Sequence, residues 1–451
     1  MKSNFFRNAT ALAALALIPA TTAALAEAEG SNYAAMGEFM DVFQKVRSDY
    51  VDQVDDETLI RGAISGMLSS LDPHSTYLDE SDFTNLSIKL EGSYGGLGLS
   101  VTTEDGAVKI IAPIEDSPGY RAGLKSGDYI THLDGELIYD VSLDEAVEKM
   151  RGAPGTPIKL TIVRPGRDKP FDVELIREKI DLKPVKWEIS NGVGIININE
   201  FSANTGKDVH AAIGGIDKAL GHKPSGYILD LRSNPGGILG EAISVSDVFL
   251  NGGEVVSDRG RRKADIRRYY AEKGDDSKGL PVVVLIDSGS ASASEIVAGA
   301  LQDHHRALIM GERSFGKGSV QTVVPISPST GLKLTTSRYY TPSGRSIQEG
   351  GIKPDVRVPQ ISDPDYKTRP RIREADLRRH LVNEIKAGDP ALEEDNKDDP
   401  RFAMTAEQLK AKGIEDFQLH YAIETIARLA KQPAKSAEKS TDQLKKVATS
   451  K

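Results

Sequence analysis

The sequence predicts an α+β multidomain chain with an α/β core, a strand-rich module before it and helical segments at both ends. Three observations support this fold class. Apolar strands alternate with longer helices over 181–360, short strands and Gly-rich turns fill 87–180, and helical apolar stripes occur in 27–86 and in the charged region 361–451. The 451 residues suffice for two or three independently packed domains.

The first 26 residues have the pattern of a cleavable signal peptide. Lys2 and Arg7 form a basic region, Ala11 to Ile18 is apolar, and Ala24-Leu25-Ala26 is a small-residue cleavage site. The alternative is an uncleaved amphipathic or anchoring helix, but the apolar run is short for a membrane span and Pro19 interrupts it. We therefore expect a periplasmic protein without an integral membrane segment once the signal is removed.

Composition limits the classes of function. A formal net charge of -9 argues against general attraction to nucleic acid or anionic lipid and favours protein or small-molecule partners. The absence of cysteine excludes a disulfide framework, a thiolate nucleophile and a cysteine metal site.

Two helices are predicted after the signal, with a turn from Val51 to Asp56 between them. Their apolar stripes are Met36, Phe39, Phe43, Val46 and Tyr50, then Leu59, Ala63, Ile64, Met67 and Leu71. We expect these stripes to serve core packing or dimerisation, and not catalysis.

The module at 87–180 has strand patterns at Val108–Ile111, Tyr129–Ile130 and Ile158–Val163, and a helix at Leu143–Met150. A Gly-Leu-Gly-Leu turn, Gly96-Leu97-Gly98-Leu99, can present successive N–H groups to a terminal carboxylate while an edge strand accepts a peptide. A structural hairpin is the alternative. The later Gly-Leu-x-x-Gly-Asp pattern at 123–128 makes peptide binding the better interpretation.

Strands and helices then alternate through the α/β region. The predicted elements are Val193–Ile198, Gly206–Leu220, Tyr227–Leu231, Leu239–Leu250, Val282–Ile286 and Ser292–Asp303. Beyond about 362, two helical stripes are predicted, and the Lys-rich end from Lys431 is expected to be disordered. These stripes are Leu377, Leu381 and Ile385, then Leu419, Ile423, Ile426 and Ala430.

A serine-rich turn, Asp287 to Glu295, follows the strand Val282–Ile286 and opens a helix. A serine at such a junction lies beside free backbone N–H groups and the positive end of the helix dipole, which favours a developing oxyanion. Ordinary helix capping by Ser or Asp is the alternative.

Two further glycine-rich turns follow apolar strands. Adjacent glycines in Leu231–Gly237 allow close approach of backbone N–H groups to a ligand, although a simple tight turn has the same pattern. In Gly311–Gln321, a lysine between glycines can be drawn inward, where loss of hydration lowers its pKa and makes it a usable base. A solvated surface lysine is the alternative.

Competing chemistries lack their patterns. His304 and His305 lie at the far end of the serine helix, and His74 is expected to order a turn. No metal-ligand spacing, Gly-x-Ser-x-Gly elbow or P-loop occurs in the sequence, so no metal or other cofactor is expected. Ser-x-x-Lys occurs at 314–317 and 436–439, but neither clearly opens a helix.

Several short segments follow one another in a specific order. They are Leu59–Ile64 with Leu71-Asp72-Pro73-His74-Ser75, the glycine turns of the strand-rich module, Asp230–Gly237, Ser290–Glu295, Phe315–Gln321, and Tyr340–Gln348 with Pro354-Asp355-Val356. Together they resemble the carboxyl-terminal processing, or tail-specific, protease family as far as about Pro359. The resemblance implies an α/β core like those of crotonases and Clp proteases at 181–360, with a PDZ domain inserted at 87–180.

Position by position, the resemblance implies Ser292 as nucleophile, Lys317 as general base and Gln321 as the residue that orients the lysine amine. The oxyanion hole would combine the N–H of Ala293 with that of Gly236 or Gly237. The turn from Gly96 to Leu99 would bind the peptide. Ser233-Asn234-Pro235 departs from some relatives, which leaves the resting geometry of the hole open.

The function that follows is a serine endopeptidase acting on exported proteins with apolar carboxyl termini. The resemblance also implies a homo-oligomer and allows a helical-repeat adaptor protein. Two alternatives are a non-catalytic PDZ scaffold and another serine acyl hydrolase of the β-lactamase kind. The complete set of serine, lysine, glutamine and glycine turn argues against the first, and the absence of Ser-Asp-Asn and Lys-Thr-Gly argues against the second.

Overall fold

The computed structural model describes residues 19–104, 106–181, 183–262, 264–384 and 400–431. The chain divides into two compact units, residues 1–71 and 72–451. The predicted basic region and apolar run of the signal peptide lie outside the described residues, as does the end after Lys431 that was predicted to be disordered. None of the helices in the described ranges has the length and apolar character that a membrane span requires.

The first unit contains the two predicted helices, α1 (Pro19–Asp49) and α2 (Asp56–Ser69). Asp55 caps α2 by accepting the N–H of Thr58 at 2.8 Å. The apolar stripe of α1 is largely exposed: Met36 is 59% and Tyr50 is 58% accessible. We expected this stripe to serve either core packing or dimerisation. In the single chain it is not packed in a core.

The strand-rich module forms an antiparallel sheet in the order β3-β4-β5-β7-β8, with β6 paired to β5, while β2 pairs with β9. Its apolar core includes Ile110, Ile130, Ala146 and Leu160. The predicted helix Leu143–Met150 is confirmed as α5. The elements from residue 76 are β1 (Thr76–Leu78), α3 (Glu80–Glu91), β2 (Ser93–Gly96), β3 (Leu99–Glu104), β4 (Ala107–Pro113), α4 (Pro118–Arg121), β5 (Tyr129–Leu133), β6 (Glu136–Leu137), α5 (Leu143–Met150), β7 (Pro157–Val163), β8 (Phe171–Ile176) and β9 (Glu178–Asp181).

The α/β core contains a central sheet in the order β10-β11-β12-β15-β16-β19, in which β10 is antiparallel to β11 and the remaining pairs are parallel. The elements are β10 (Val185–Ser190), β11 (Val193–Ile198), α6 (Thr205–Leu220), β12 (Tyr227–Asp230), α7 (Leu239–Phe249), β13 (Gly253–Gly260), β14 (Ile266–Ala271), β15 (Val282–Ile286), α8 (Ala293–Asp303), β16 (Leu308–Gly311), β17 (Ser319–Pro325), β18 (Gly331–Tyr340) and β19 (Val356–Arg357). Because parallel strands end at one edge, the loops after β12, β15 and β16 meet there.

A second, antiparallel sheet has the order β1-β18-β13-β14, and β17 also pairs with β18. β17 begins at Ser319, two residues after Lys317. The sheet therefore fixes one end of the lysine loop, and the central sheet fixes the other through β16.

The two faces of the central sheet are covered by different parts of the chain. Side chains such as Ile196, Leu229 and Val284 pack with α6, α7 and α8. Their neighbours along the strands, such as Ile195 and Ile228, pack with Phe417 and Ile426 of the carboxyl-terminal region. Since strand side chains alternate between faces, α9 (Ala406–Ala411) and α10 (Phe417–Lys431) supply the second covering layer.

The carboxyl-terminal predictions were half right. The stripe from Leu419 to Ala430 is confirmed as part of α10. The predicted stripe Leu377, Leu381 and Ile385 was wrong: Glu374–Asp376 is a short 3-10 helix, residues 377–384 are not helical, and Ile385 lies outside the described residues. Arg379 has a φ of 63°. Besides short turn bonds such as that from the N–H of His380 to the carbonyl of Leu377, backbone groups of this segment bond to Gln348 and Glu349 of the core.

Candidate active site

Ser292 lies between the buried strand β15 and the start of α8. It caps the helix with φ 53° and ψ -109°, a left-handed conformation that costs a residue other than glycine energy and is typical of functional turns. Ser292 itself is buried, with 8% of its surface accessible. The predicted serine turn thus holds Ser292 in an unusual backbone conformation, which sets the direction of its side chain.

The glycine turn after β12 is bound to the serine turn by Asn234. This fully buried residue donates from Nδ2 to the carbonyl of Ile198 at 2.7 Å. The backbone carbonyl of Asn234 accepts the N–H of Ala291 and the hydroxyl of Ser294, both at 3.0 Å. Asn234 therefore fixes the position of the glycines relative to the serine turn.

Lys317 lies in the loop between β16 and β17, and burial lowers the pKa of its amine to about 8. Nearby carboxylates, led by Glu374, oppose this effect. The amine donates to Oε1 of Gln321, and to the carbonyl of Ser319 at 3.4 Å. An amine with this pKa is neutral often enough at mildly alkaline pH to accept a proton.

Glu295 connects the two loops. Its Oε2 accepts the N–H of Ser292 at 2.8 Å and that of Lys317 at 2.9 Å. Its Oε1 accepts the hydroxyl of Ser314 at 2.6 Å and the N–H of Gly316 at 2.7 Å. Burial raises the pKa of this carboxyl to about 7, although all four donors favour its charged form.

The structure brings Ser292, Lys317 and Gln321 into one site through this network. Within the described ranges, the lysine amine bonds to Gln321 and Ser319 and not to Oγ of Ser292. The backbones of the serine and the lysine are held by one carboxylate, and the lysine amine is held by Gln321 and the carbonyl of Ser319.

Of the three oxyanion candidates, Gly236 and Ala293 lie beside Ser292, and Gly237 follows Gly236 in the glycine turn. A Cβ built on Gly236 would lie 2.8 Å from the Cβ of Ser292 and 2.9 Å from the nitrogen of Ala293. The N–H of Gly236 is engaged by Oδ1 of Asn234 at 2.9 Å. Gly237 forms an isolated parallel bridge with Phe201, and the hydrogen bonds of this bridge use Gly236 O and Ile238 N. The N–H of Gly237 is thus left free of these contacts.

The predicted peptide-binding turn lies where β2 ends and β3 begins, away from the serine turn in sequence. Gly98 has a φ of 66°, and its carbonyl accepts the N–H of Ile114 at 2.8 Å. The side chain of Leu97 belongs to the core of the strand-rich module, and its carbonyl accepts the N–H of Gly119 at 2.9 Å. These contacts fix the backbone carbonyls of Leu97 and Gly98 within the turn.

The sequence analysis assigned no role to Glu295 and Asn234, which the structure adds to the site. Both residues lie within segments that carry the family resemblance, Ser290–Glu295 and Asp230–Gly237. A Glu three residues after a serine at a helix start is a capping-box pattern, which gave a signal for Glu295. Asn234 offered no signal beyond being a polar residue in a glycine turn.

The histidines are not placed as catalytic bases. His74 does order a turn, since its N–H donates to Asp72 at 2.8 Å, and its Nε2 lies 2.8 Å from Glu374. His304 contacts the carbonyl of Glu254 at 2.7 Å. In the part of the chain that the structure describes, no group of three His, Asp or Glu side chains is arranged to hold a metal ion.

Sequence comparisons agree with this architecture. The model of peptidase family S41 matches residues 192–358, that of a PDZ domain matches 109–164, and that of the N-terminal domain of the activating protease CtpB matches 11–82. The carboxy-terminal-processing protease of Bartonella bacilliformis is 48% identical over 355 residues, covering 78% of this chain and 82% of the relative.

Two further relatives have related names. The carboxy-terminal processing protease CtpB of Bacillus subtilis is 36% identical over 78% of this chain and 72% of its own length. The solved structure of a photosystem II D1 C-terminal processing protease is 29% identical, with a TM-score of 0.41, and covers 71% of this chain and 92% of that chain.

An S41 core preceded by a PDZ domain defines a serine-type peptidase. The chain belongs to the carboxy-terminal processing proteases of peptidase family S41. The protease function is therefore favoured over the non-catalytic scaffold that the sequence left open.

Proposed function

We propose that this protein cleaves peptide bonds with Ser292 as nucleophile and Lys317 as general base. The observation that carries the proposal is the shared carboxylate: Oε2 of Glu295 accepts the backbone N–H of both residues. Burial of the amine supports it as well, because it lowers the pKa of Lys317 to about 8. A nucleophile needs a neighbouring base with a pKa near the working pH.

In the proposed reaction, the neutral amine of Lys317 takes the proton of the Ser292 hydroxyl as Oγ bonds to the peptide carbonyl carbon. The charge on the carbonyl oxygen is stabilised by backbone N–H donors. The C–N bond then breaks, the lysine ammonium protonates the leaving amine, and an ester on Ser292 remains. Water, deprotonated by the same lysine, hydrolyses this ester and restores the serine.

Ala293 and Gly237 are the oxyanion donors that we propose. The nitrogen of Ala293 begins α8, where a helix leaves N–H groups without intrahelical partners. Gly237 is preferred over Gly236 because the N–H of Gly236 already donates to Asn234. Gln321 orients the lysine amine by accepting a hydrogen bond from it.

The PDZ domain captures the carboxyl terminus of the substrate in this proposal. The turn from Gly96 to Leu99 would bind the terminal carboxylate, and an apolar tail would extend along β3. Holding the tail raises the effective concentration of the remaining chain at the serine. Specificity would then lie in the tail and not in the cleaved sequence.

The compartment and the assembly also belong to the proposal. The residues at 1–26 have a signal-peptide pattern, and we place the mature protein in the periplasm on exported protein substrates. The exposed apolar stripe of α1 supports a homo-oligomer, because exposed apolar patches mark interaction sites. A helical-repeat adaptor is a further partner that the family resemblance allows.

The test uses the mature protein and an unfolded test protein with an apolar tail. Ser292→Ala, Lys317→Ala and Lys317→Arg should each abolish cleavage, the last because a guanidinium does not release its proton at working pH. Lys218→Ala, at an exposed lysine of α6, is the matched control and should keep full activity. Fluorescence of Trp187, the single tryptophan, reports whether each variant is folded.

Cleavage that persists in any of the three dyad variants would refute the dyad. A second substrate, ending in two aspartates but otherwise identical, tests tail recognition. We expect its KM to rise about tenfold or more with kcat unchanged, because only binding is weakened. Equal kinetics for both tails would contradict selection by the PDZ domain.

A further inference from the structure

The segment that follows the protease core lies directly against the lysine loop. The N–H of Glu374 donates to the carbonyl of Phe315 at 3.1 Å. Nearby, the N–H of Asn383 donates to Glu349 at 2.9 Å, and Nε2 of Gln348 donates to the carbonyl of Leu381 at 2.9 Å. The residues from Glu374 to Asn383 are thus anchored both to the lysine loop and to Gln348 and Glu349.

Glu374 itself is fully buried beside the base. Its Oε1 accepts Nε2 of Gln348 at 3.0 Å, and its Oε2 lies 2.8 Å from Nε2 of His74. The other face of Gln348 points at the lysine loop, since Oε1 of Gln348 accepts the N–H of Gly318 at 3.0 Å.

We propose that Glu374 is a positioning residue for Lys317, which the carboxyl-terminal segment supplies to the protease core. The proposal rests on the Ser292 and Lys317 dyad proposed above. It gives the segment after residue 360 a part in catalysis that the motif content of the sequence did not indicate.

The positioning acts through the amide of Gln348. An amide group has an acceptor oxygen and a donor NH2, and either end can face a given neighbour. Glu374 and the carbonyl of Leu381 accept only, so they hold the NH2 on their side and keep the oxygen on Gly318. Without Glu374, the NH2 group of Gln348 loses one of its two acceptors, and the amide is held less firmly in this orientation.

The lysine loop is consequently held from two directions. Glu295 accepts the N–H groups of Gly316 and Lys317, and Gln348 accepts that of Gly318. Three successive backbone donors are thus fixed by two buried side chains. The backbone from which the side chain of Lys317 extends is therefore held in place.

Glu374 also contributes charge. The carboxylates of Glu374, Glu295 and Asp72 favour the charged form of the Lys317 amine, and Lys333 disfavours it. His74 lies against Glu374. Removing the Glu374 charge should therefore move the pH at which the amine becomes neutral to a lower value. A loosened loop that admits water should move it to a higher value.

Two substitutions separate these effects in the full mature protein. Glu374→Leu removes the acceptor for Gln348, and we expect kcat to fall about tenfold or more with KM within about twofold. Glu374→Gln keeps an acceptor oxygen but no charge. We expect it to retain kcat within about threefold, and the alkaline rise of kcat/KM to shift to lower pH.

A Glu374→Leu variant with the kcat of the unmodified protein would overturn the proposal. So would a Glu374→Gln profile that is unmoved or shifted to higher pH. Should Trp187 fluorescence show that Glu374→Leu does not fold, the profile of Glu374→Gln alone decides. Glu424→Gln, an exposed glutamate of α10, is the matched control and should leave the profile unchanged.

Failure of the dyad would look different. Ser292→Ala and Lys317→Ala are measured in the same assay, and cleavage that survives in them removes the dyad whatever Glu374 does. If both are inactive and Glu374→Leu and Glu374→Gln behave like the unmodified protein, the dyad stands and only the role of Glu374 is lost.

Discussion

Glu295 accepts the backbone N–H of Lys317 at 2.9 Å, although the two residues are 22 positions apart in sequence. The same oxygen accepts the N–H of Ser292 at 2.8 Å. One buried carboxylate thereby fixes the distance between the loop that carries the proposed nucleophile and the loop that carries the proposed base. The proposed dyad depends on this third residue for its geometry, in addition to its own side chains.

Glu295→Gln should reduce kcat by about 100-fold or more, because one end of an amide donates and would face backbone N–H groups that also donate. KM should change little if only the dyad is displaced. Steady-state kinetics on the unfolded test protein measure both constants. Glu424→Gln serves as control, and a fully active Glu295→Gln variant would contradict the linking role.

The same carboxyl predicts a pH dependence of stability. Its folded pKa, about 7, is above the ordinary value of 4.5, so the folded state keeps a proton that the unfolded chain releases. This contribution is fully present below about pH 4.5 and is lost as the pH rises through 7. Relative to Glu295→Gln, the free energy of unfolding should fall by about 3 kcal/mol between pH 4 and pH 8.

Urea unfolding of both proteins at several pH values, followed by Trp187 fluorescence, checks this prediction. Aspartate at position 295 is a useful second variant because it retains the charge but is one methylene shorter. An unchanged difference between the unmodified protein and Glu295→Gln across this range would mean that burial does not shift the pKa of the folded carboxyl away from its value in the unfolded chain.

The activity profile should report Lys317. The base has to be neutral, so kcat/KM should rise with pH through about 8, the pKa to which burial lowers the amine, and then level off. A solvated lysine would instead give a rise near 10.5. Initial rates across pH 6 to 10, at substrate concentrations well below KM, distinguish about 8 from 10.5. A rise at the higher value would mean that the amine is not buried in the working enzyme.

The sequence was sufficient for much of the fold because strand and helix patterns are local. The buried strand Val282–Ile286 and the helix Leu143–Met150 were predicted with their observed bounds. The helix predicted after Glu374 was wrong. The apolar residues there have helical spacing, but backbone groups of the segment bond to Gln348 and Glu349. Contacts between residues this far apart in sequence leave no periodic pattern.

The candidate site was likewise predictable only in part. The resemblance placed the serine, the lysine and the glutamine, but the hydrogen bonds between loops came only from the structure. The choice between Gly236 and Gly237 depended on where the side chain of Asn234 points. The apolar stripe of α1 has the spacing of a packed helix, yet Met36 is exposed in the single chain, because helical spacing alone does not determine whether a face is covered.

A charged cluster links the carboxyl-terminal region to the glycine turn. Arg232 donates to Asp230 at 2.6 Å and to Asp416 at 2.7 Å. Burial alone would raise the pKa of Asp416, but the hydrogen bond and charge of Arg232, together with hydrogen bonds from Gln360 and Leu419, hold the pKa below its ordinary value. Since Arg232 directly precedes Ser233 to Gly237, this cluster supports the turn that carries the oxyanion candidates.

Asp416→Ala should lower the free energy of unfolding by about 2 kcal/mol, because it leaves a buried guanidinium with one carboxylate fewer. We expect kcat to fall severalfold as well, since the glycine turn loses support. Asp265→Ala, which breaks the exposed pair with Arg262, is the matched control and should change neither quantity. Equal stability of the two variants would show that the cluster does not hold the turn.

The glycine turn gives the last prediction. Gly237 has a φ of 146°, and a Cβ at this position would lie 2.1 Å from the carbonyl oxygen of Phe201, so alanine forces the turn away from its bridge. Gly240, in α7, has only a 3.9 Å contact to Ile238 and accommodates alanine. Gly237→Ala should therefore lose kcat by about 100-fold, the size expected when an oxyanion donor is displaced. Gly240→Ala should remain fully active with equal or higher stability, because alanine favours helix. Titration with a serine-reactive phosphonate separates the causes: if Gly237→Ala reacts as fast as the unmodified protein, the turn does not supply a donor to the oxyanion.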